Sequence, residues 1–337
     1  MDYNENKAAI YYGHEQGKGE RMRKFDAVVV GDVNIDLVVA GHKGVPLPGQ
    51  EVYVDSIGMH IGGGAALFGV ALAKLGMKLA LAGVLGKDYY GQYLLDQLAQ
   101  HNIDTSKIKI SRVNGTGISI ALHPETDRSF ITYAGSNAEL GIGQLDLDSI
   151  AEGRHVHLTG YKGSANHDAF VHAAERLQAR GVTVSLDTGW DDTGEWYKGI
   201  MELASITDIL FMNETEAIHF TGSASVEEAI RVLSRHGEHV VVKLGSRGAV
   251  AAVKGRSVYR PGYRVNALDT TGAGDCFNAG YVYGYLAGKT PEDCLLYGNA
   301  CGALSVSAYG GSAGAADLET LERFIAQYAA DGREVGS

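Results

Sequence analysis

From residue 155 onward the chain alternates strand-like and helix-like segments with little between them. That alternation restricts the fold more than any other feature. HVHLTG (155–160) precedes a helical stretch at 167–180, and VTVSLDTG (182–189) precedes one around 195–205. DILFMNETE (208–216) leads to a helix at 225–236, and HVVVKLG (239–245) leads to 248–265, read as a hairpin with a following strand. Helices near 274–287, 291–308 and 317–329 complete the chain. A helix between consecutive strands returns each strand parallel to the last. The expectation is therefore an α/β fold, a doubly wound and mostly parallel sheet with helices on both faces. Ligands of such sheets bind outside the carboxyl ends of the strands.

The first half is less uniform. FDAVVVGDVNIDLVV (25–39) is an apolar run broken at Gly31-Asp32, a buried strand opening into a loop. A helix is expected over 65–76, ending at Gly76, then a strand over 78–86 and a helix over 89–102. EVYVDSIGMHI (51–61) and GTGISIALHPETDRSFITYAG (115–135) alternate apolar and polar residues, as half-exposed antiparallel strands do. They predict a small β-sheet lid, from about 45–61 and 113–134, over one domain spanning 25–330. Residues 1–24 read as a loose polar extension and 331–337 as a flexible end.

Charge and cysteine usage narrow the function. With 29 Lys+Arg against 40 Asp+Glu, net charge −11, no basic stripe exists to neutralise nucleic acid or an anionic membrane. Three cysteines with no CxxC pair suit a reducing compartment, and no apolar run is long enough to span a bilayer. A cytoplasmic protein acting on a small molecule is expected.

Glycine is the compositional anomaly: 46 residues against five prolines, gathered at 62–64, 271–274 and 309–314. The richest segment is NALDTTGAGDCFNAGYVYGYLAG (266–288), where a glycine turn opens an amphipathic helix. Consecutive amides at a helix start form an anion cradle, aided by the helix dipole. A carboxylate there, Asp275, can accept a proton from a hydroxyl about to attack phosphorus. A simple helix cap would use one such residue, without Asp269, two threonines and two glycines beside it.

This segment resembles the DTxGAGD signature of the ribokinase family, the PfkB-type carbohydrate kinases. Similar stretches follow in the family's order: VGDVNIDLVV (30–39), GGGAALFGVALAKLG (62–76), GKDYYG (86–91), NETE (213–216) and VVKLGSRGA (241–249). The resemblance implies Asp275 as catalytic base and the amides of Gly272, Ala273 and Gly274 as anion hole. It implies a substrate site at Asp36, Gly62, Gly63 and the position of Leu67, where the family carries asparagine. It also implies Lys243, Gly245, Gly248, Thr271, Asn213 and Asn299 around the nucleotide. Asn213 and Glu216 would organise Mg²⁺ through water, and Asp269 with Thr271 a monovalent cation, K⁺. Arg128 and Asn137, near the ends of the lid, are further substrate candidates.

The reading is an ATP-dependent transfer of the γ-phosphoryl group to a hydroxyl, a primary alcohol of a sugar or sugar derivative. A homodimer through exposed lid edges is expected. Two alternatives share the fold: a nucleoside kinase, with Tyr53 and Tyr133 as stacking residues, and a sensor without turnover. GYLAGKT (284–290) is too short to be a phosphate-binding P-loop and predicts a helix start with Thr290 as N-cap.

Overall fold

The computed structural model describes residues 23–41, 48–123 and 129–330. The strands among them are β1 Phe25–Val30, β2 Asn34–Ala40, β3 Ser56–Gly62, β4 Leu79–Ala82, β5 Val84–Gly86, β6 Lys109–Ser111, β7 Gly117–His123, β8 Ser129–Tyr133, β9 Gly153–Leu158, β10 Thr183–Asp187, β11 Ile209–Asn213, β12 His239–Lys243, β13 Ala249–Val253 and β14 Arg256–Arg260. Eight form the central sheet, in the order β14-β13-β12-β11-β10-β9-β1-β4. The pairs from β12 through β4 are parallel, and β13 and β14 add an antiparallel edge.

Successive strand residues point to opposite faces, so the parallel strands feed two apolar layers. On one face Val29, Leu81, Phe211 and Val241 pack with Phe68, Leu72 and Tyr281 of helices Gly64–Lys74 and Ala273–Leu286. On the other, Val28, Val156, Leu210 and Val242 meet Phe170 and Leu203 of helices His167–Gln178 and Ile200–Ile206. Pro291 opens helix Pro291–Ser305, and Thr290 accepts the Asp293 N–H, so the expected cap is present.

The lid is a four-stranded sheet, β3-β2-β7-β8. Its central strand β2 belongs to the run expected to continue from β1 into a loop. The break at Gly31-Asp32 instead carries the chain out of the main sheet and into the lid. EVYV contributes no strand, and β3 begins at Ser56. Arg128 lies outside the described residues.

Two helices depart from expectation. The helix placed around 195–205 is confined to Ile200–Ile206. Upstream residues form a loop tied by Asp191, whose carboxylate accepts from the Thr193 N–H and hydroxyl and the Trp196 N–H. A helix Glu214–Thr221 occupies residues read as the end of a strand and a connection.

Candidate active site

The carboxyl ends of β1, β10, β11 and β12 and the start of helix Ala273–Leu286 converge on one cleft, with the lid at its other side. Gly272 is the N-cap of that helix, with φ 70°. A Cβ there would be strained and would fall 2.8 Å from Leu67 Cδ1 and 3.1 Å from the Gly311 Cα, so the turn demands glycine. Asp269 is buried, and its two carboxylate oxygens take the Thr271 and Gly310 N–H groups. It therefore fastens the glycine turn to the 309–311 loop.

Of the three amides expected to bind an anion, Ala273 is already committed, donating to the Thr270 carbonyl at 3.3 Å. The turn's own closure consumes it. Gly272 and Gly274 keep amides without an acceptor among the described residues. Asp275 follows in the first helical turn, its Oδ1 3.1 Å from where a Gly64 Cβ would stand. Burial and the nearby charge of Asp187 hold its carboxyl well above the usual range, with Lys243 opposing.

Asp187 was not anticipated. It ends β10, is buried, and accepts from Lys243 Nζ at 3.0 Å and Asn278 Nδ2 at 2.5 Å. Its position in VTVSLDTG, a carboxylate at a buried strand's carboxyl end, was the available signal. Lys243 in turn ends β12. Burial opposes its charge, but Asp187, Glu216 and Asp275 outweigh that and raise its pKa. It stays an ammonium.

NETE forms a reciprocal capping box. Asn213 Oδ1 accepts the Glu216 N–H at 2.9 Å, and Glu216 Oε2 accepts the Asn213 N–H at 2.8 Å. Glu216 also accepts from Asn213 Nδ2 at 2.6 Å and the Thr188 hydroxyl at 3.1 Å. Burial and Asp187 raise its pKa. These three bonds leave Glu216 one of its four acceptor sites, on Oε1, enough for a water.

Lys243, Gly245, Gly248 and Asn299 line a cavity of ≈ 430 Å³ with Gly274 and Phe277. Val265, Ala267, Ala303 and Val306 give it an apolar wall. Asn299 donates to the Arg260 and Pro261 carbonyls, so its amide holds the wall together.

On the lid side, Asp36 is buried beside Gly62, where any Cβ would fall 2.0 Å from its Oδ1, and accepts from Asn34 Nδ2 at 2.8 Å. Burial and Asp32 push its pKa up to about 7. Gly63, with φ 90°, passes against the Asp32 backbone. Asn137 Oδ1 accepts the Val33 N–H, tying the lid's return to the β1–β2 junction. Strand register sets His60, Asp36, Ser119 and Thr132 in one transverse row, with Ser119 and Thr132 hydroxyls 2.9 Å apart. His60, Ser119 and Thr132 went unnoticed in the sequence because they become neighbours only through strand pairing.

Leu67 does not face this row. It is 3% exposed and packed under Gly272 and Gly311, because its helix turns it toward the glycine loops. Tyr133 pairs with Ile118 on the opposite lid face from Asp36, and Tyr53 is 83% exposed and bonded to Glu51. Neither forms a stacking platform over the cleft.

The model of the pfkB family carbohydrate kinases matches residues 24–318. The chain belongs to that family. A ribokinase of Haemophilus influenzae is 30% identical over 307 residues, covering 86% of this chain and 94% of its own. An ATP-dependent ribose-1-phosphate kinase of Halopiger xanaduensis is 31% identical over 283 residues, covering 83% and 91%. Among solved structures, Thermotoga maritima ribokinase superposes with TM-score 0.76 at 26% identity, covering 90% of this chain and 99% of that one. The protein is thus an ATP-dependent carbohydrate kinase with a ribokinase-like α/β fold.

Proposed function

We propose that this kinase phosphorylates a primary alcohol of a hydroxyl-rich sugar or sugar derivative, with Asp275 as general base. The carrying observation is the position of Asp275, between the Asp187–Lys243 pair and two amides of the glycine turn that have no acceptor among the described residues. The acceptor oxygen attacks the γ-phosphorus of ATP, its proton passes to Asp275, and the bond to the bridging oxygen breaks to release ADP. Gly272 and Gly274 amides meet the charge on the transferring group, and Lys243 balances the phosphates. The cavity beyond Lys243 suits the base and ribose of the nucleotide. Asp36, with the hydroxyls of Ser119 and Thr132, suits acceptor hydroxyls.

An E. coli protein of the same fold, 25% identical with TM-score 0.80, was solved with ATP and Mg²⁺. The donors here fit a hard cation held largely by phosphates and water, with Asp187 beside it and Glu216 acting through water. Such an ion would neutralise phosphate charge. Among the described residues no group of three or more His, Cys, Asp or Glu is arranged as a metal cage. A monovalent cation at Asp269 and Thr271 would sit behind the glycine turn; equal rates in K⁺ and Na⁺ would refute it.

The lid's outer apolar face favours a homodimer: Ile57, Ile131 and Tyr133 share it by register and are 64%, 58% and 53% exposed. The three cysteines are buried thiols, with no disulfide among the described residues, which supports a reducing, cytoplasmic setting.

The deciding experiment measures ADP release from Mg-ATP over sugars, sugar acids, sugar phosphates and nucleosides, with Asp275→Asn as background. Turnover on a sugar that the variant abolishes supports the reading. Turnover only on nucleosides, or full activity in the variant, overturns it.

A further inference from the structure

A track of buried polar side chains runs along β9 and β10 toward Asp187, on the sheet face roofed by helices Gly64–Lys74 and Ala273–Leu286. The reaction makes no use of it, and its hydrogen bonds have only one consistent direction. The Thr183 hydroxyl donates its one hydrogen to the Arg154 carbonyl at 3.3 Å, so toward His155 Nδ1, 2.8 Å away, it accepts. His155 and His157 are both 0% exposed, and burial pushes each down to about 3, so both rings are neutral. With its hydrogen on Nδ1, His155 offers a lone pair at Nε2 to the Ser185 hydroxyl, at 2.7 Å. Ser185 therefore donates to His155 and accepts from His157 Nδ1, also at 2.7 Å. The hydrogen of His157 is thus fixed on Nδ1, and its Nε2 is left as a buried lone pair without a donor among the described residues.

A second acceptor is left over at the end of the track. Asn278, 0% exposed, gives one amide N–H to Asp187, and its Oδ1 has no partner among the described residues. Ser185 and Asp187 lie two residues apart on the same strand face, roughly 7 Å. His157 hangs from the first and Asn278 from the second. The rings flanking His157 are Phe68, stacked at 3.8 Å, and Phe211, edge-on at 6.2 Å, and neither has a hydrogen to donate. Each of two buried acceptors left unpaired would forfeit the hydrogen bonds it makes to water in the unfolded chain. A cation is disfavoured because the Lys243 ammonium already bears on His157. One neutral molecule with two hydrogens meets both needs.

We propose that a buried water donates to His157 Nε2 and Asn278 Oδ1, and that His157, through this water, is a positioning residue for Asp187 and Lys243. The track then braces the carboxylate that holds the lysine, from the far end of the sheet to the phosphate end of the cleft. This rests on the reading that Lys243 serves the phosphates.

Three measurements on the full chain test it. In the wild type, long-range nitrogen-15 spectra of the imidazoles, with His157 assigned by difference from His157→Gln, should show it protonated at Nδ1; protonation at Nε2 overturns the proposal. His157→Leu, which removes the acceptor, should lower kcat/KM for ATP on the order of tenfold, as loss of an outer partner does at metal sites. The KM of the acceptor substrate should stay unchanged. His157→Gln, which keeps an acceptor, should retain most of the wild-type value. Wild-type kinetics in the leucine variant overturn the proposal, as does a glutamine variant as impaired as the leucine one. If the leucine variant does not fold, the tautomer and the glutamine variant decide. Full activity in Lys243→Met would instead defeat the phosphate-end reading, leaving the tautomer assignment standing.

Discussion

The two ends of the cleft are built in opposite ways. At the end proposed for the phosphates, charged groups are sunk into the main sheet and hold one another: Lys243 on Asp187, Asn278 on Asp187, Glu216 locked into its capping box. At the end proposed for the acceptor, Asp36 lies on a thin lid whose outer strand β8 is exposed throughout. Rigid, crowded charge suits a chemistry that is the same whatever the acceptor. A half-exposed sheet, carrying its polar row on one face and an apolar row on the other, can change side chains without disturbing the core. The comparison predicts that substitutions at the first end act on turnover, and those at the second on acceptor affinity and assembly.

The largest effect is expected from Asp275→Asn. The amide keeps the shape and removes the base, so kcat should fall by about 10²-fold or more. ATP affinity, measured by calorimetry without acceptor, should change little. A parallel loss of ATP binding would mean that Asp275 is part of the nucleotide site, and the contrast between the ends would blur.

Asp36→Asn comes next and should divide differently. Acceptor KM should rise about tenfold, the equivalent of roughly 1.4 kcal/mol, with kcat less affected. Stability should move the other way. Asp36 has a folded pKa of about 7 against an ordinary 3.8. Between those values the native state keeps a proton that the unfolded chain releases, so its contribution to stability falls as pH rises through that window. The asparagine variant escapes this loss. Its Tm should exceed that of the wild type by a few degrees at pH 8, and the gain should vanish near pH 4. An equal Tm at both pH values would show that Asp36 is not destabilised by its surroundings.

What could be read from the sequence follows the same division. The parallel sheet was legible because β-branched runs separated by helices leave few other solutions, and the glycine turn that opens the helix of Asp275 was legible because its residues are contiguous in DTTGAGD. Asp187 was not, since its partners Lys243 and Asn278 are far away in the chain and only the sheet order brings them together. Leu67 was misplaced for the related reason that a motif position does not say which way a helix faces. The lid was half legible: alternation revealed β3, β7 and β8, while β2 was hidden in an apolar run continuous with β1.

The lid's apolar face gives a smaller effect, on assembly. Ile57→Lys with Ile131→Lys places two charges on the face opposite the Asp36 row, since neighbouring strand residues such as Ile131 and Thr132 point to opposite sides. Light scattering should show a shift from dimer to monomer, with kcat within about twofold of the wild type, as expected for surface changes away from the cleft. A wild-type monomer would remove the face from the account of assembly.

The smallest effect tests whether NETE is a catalytic motif or a helix start, since N-x-x-E spacing satisfies both. A capping box needs an acceptor at Asn213 and a carboxylate three residues on, which is the arrangement observed. Serine caps about as well as asparagine, whereas alanine cannot cap and costs about 1 kcal/mol. Neither supplies the amide hydrogen that Asn213 Nδ2 gives to Glu216 Oε1. If the residue only starts the helix, Asn213→Ser should match the wild type in Tm and turnover, and Asn213→Ala should lose a degree or two of Tm with its kcat intact. If the amide also holds Glu216 in place for the phosphate end, both variants should lose kcat equally while only alanine loses stability. The structure favours the second pattern, because Glu216 is buried against Asp187 and Lys243 and, among the described residues, the hydrogen bonds that fix its carboxylate come from Asn213 and Thr188.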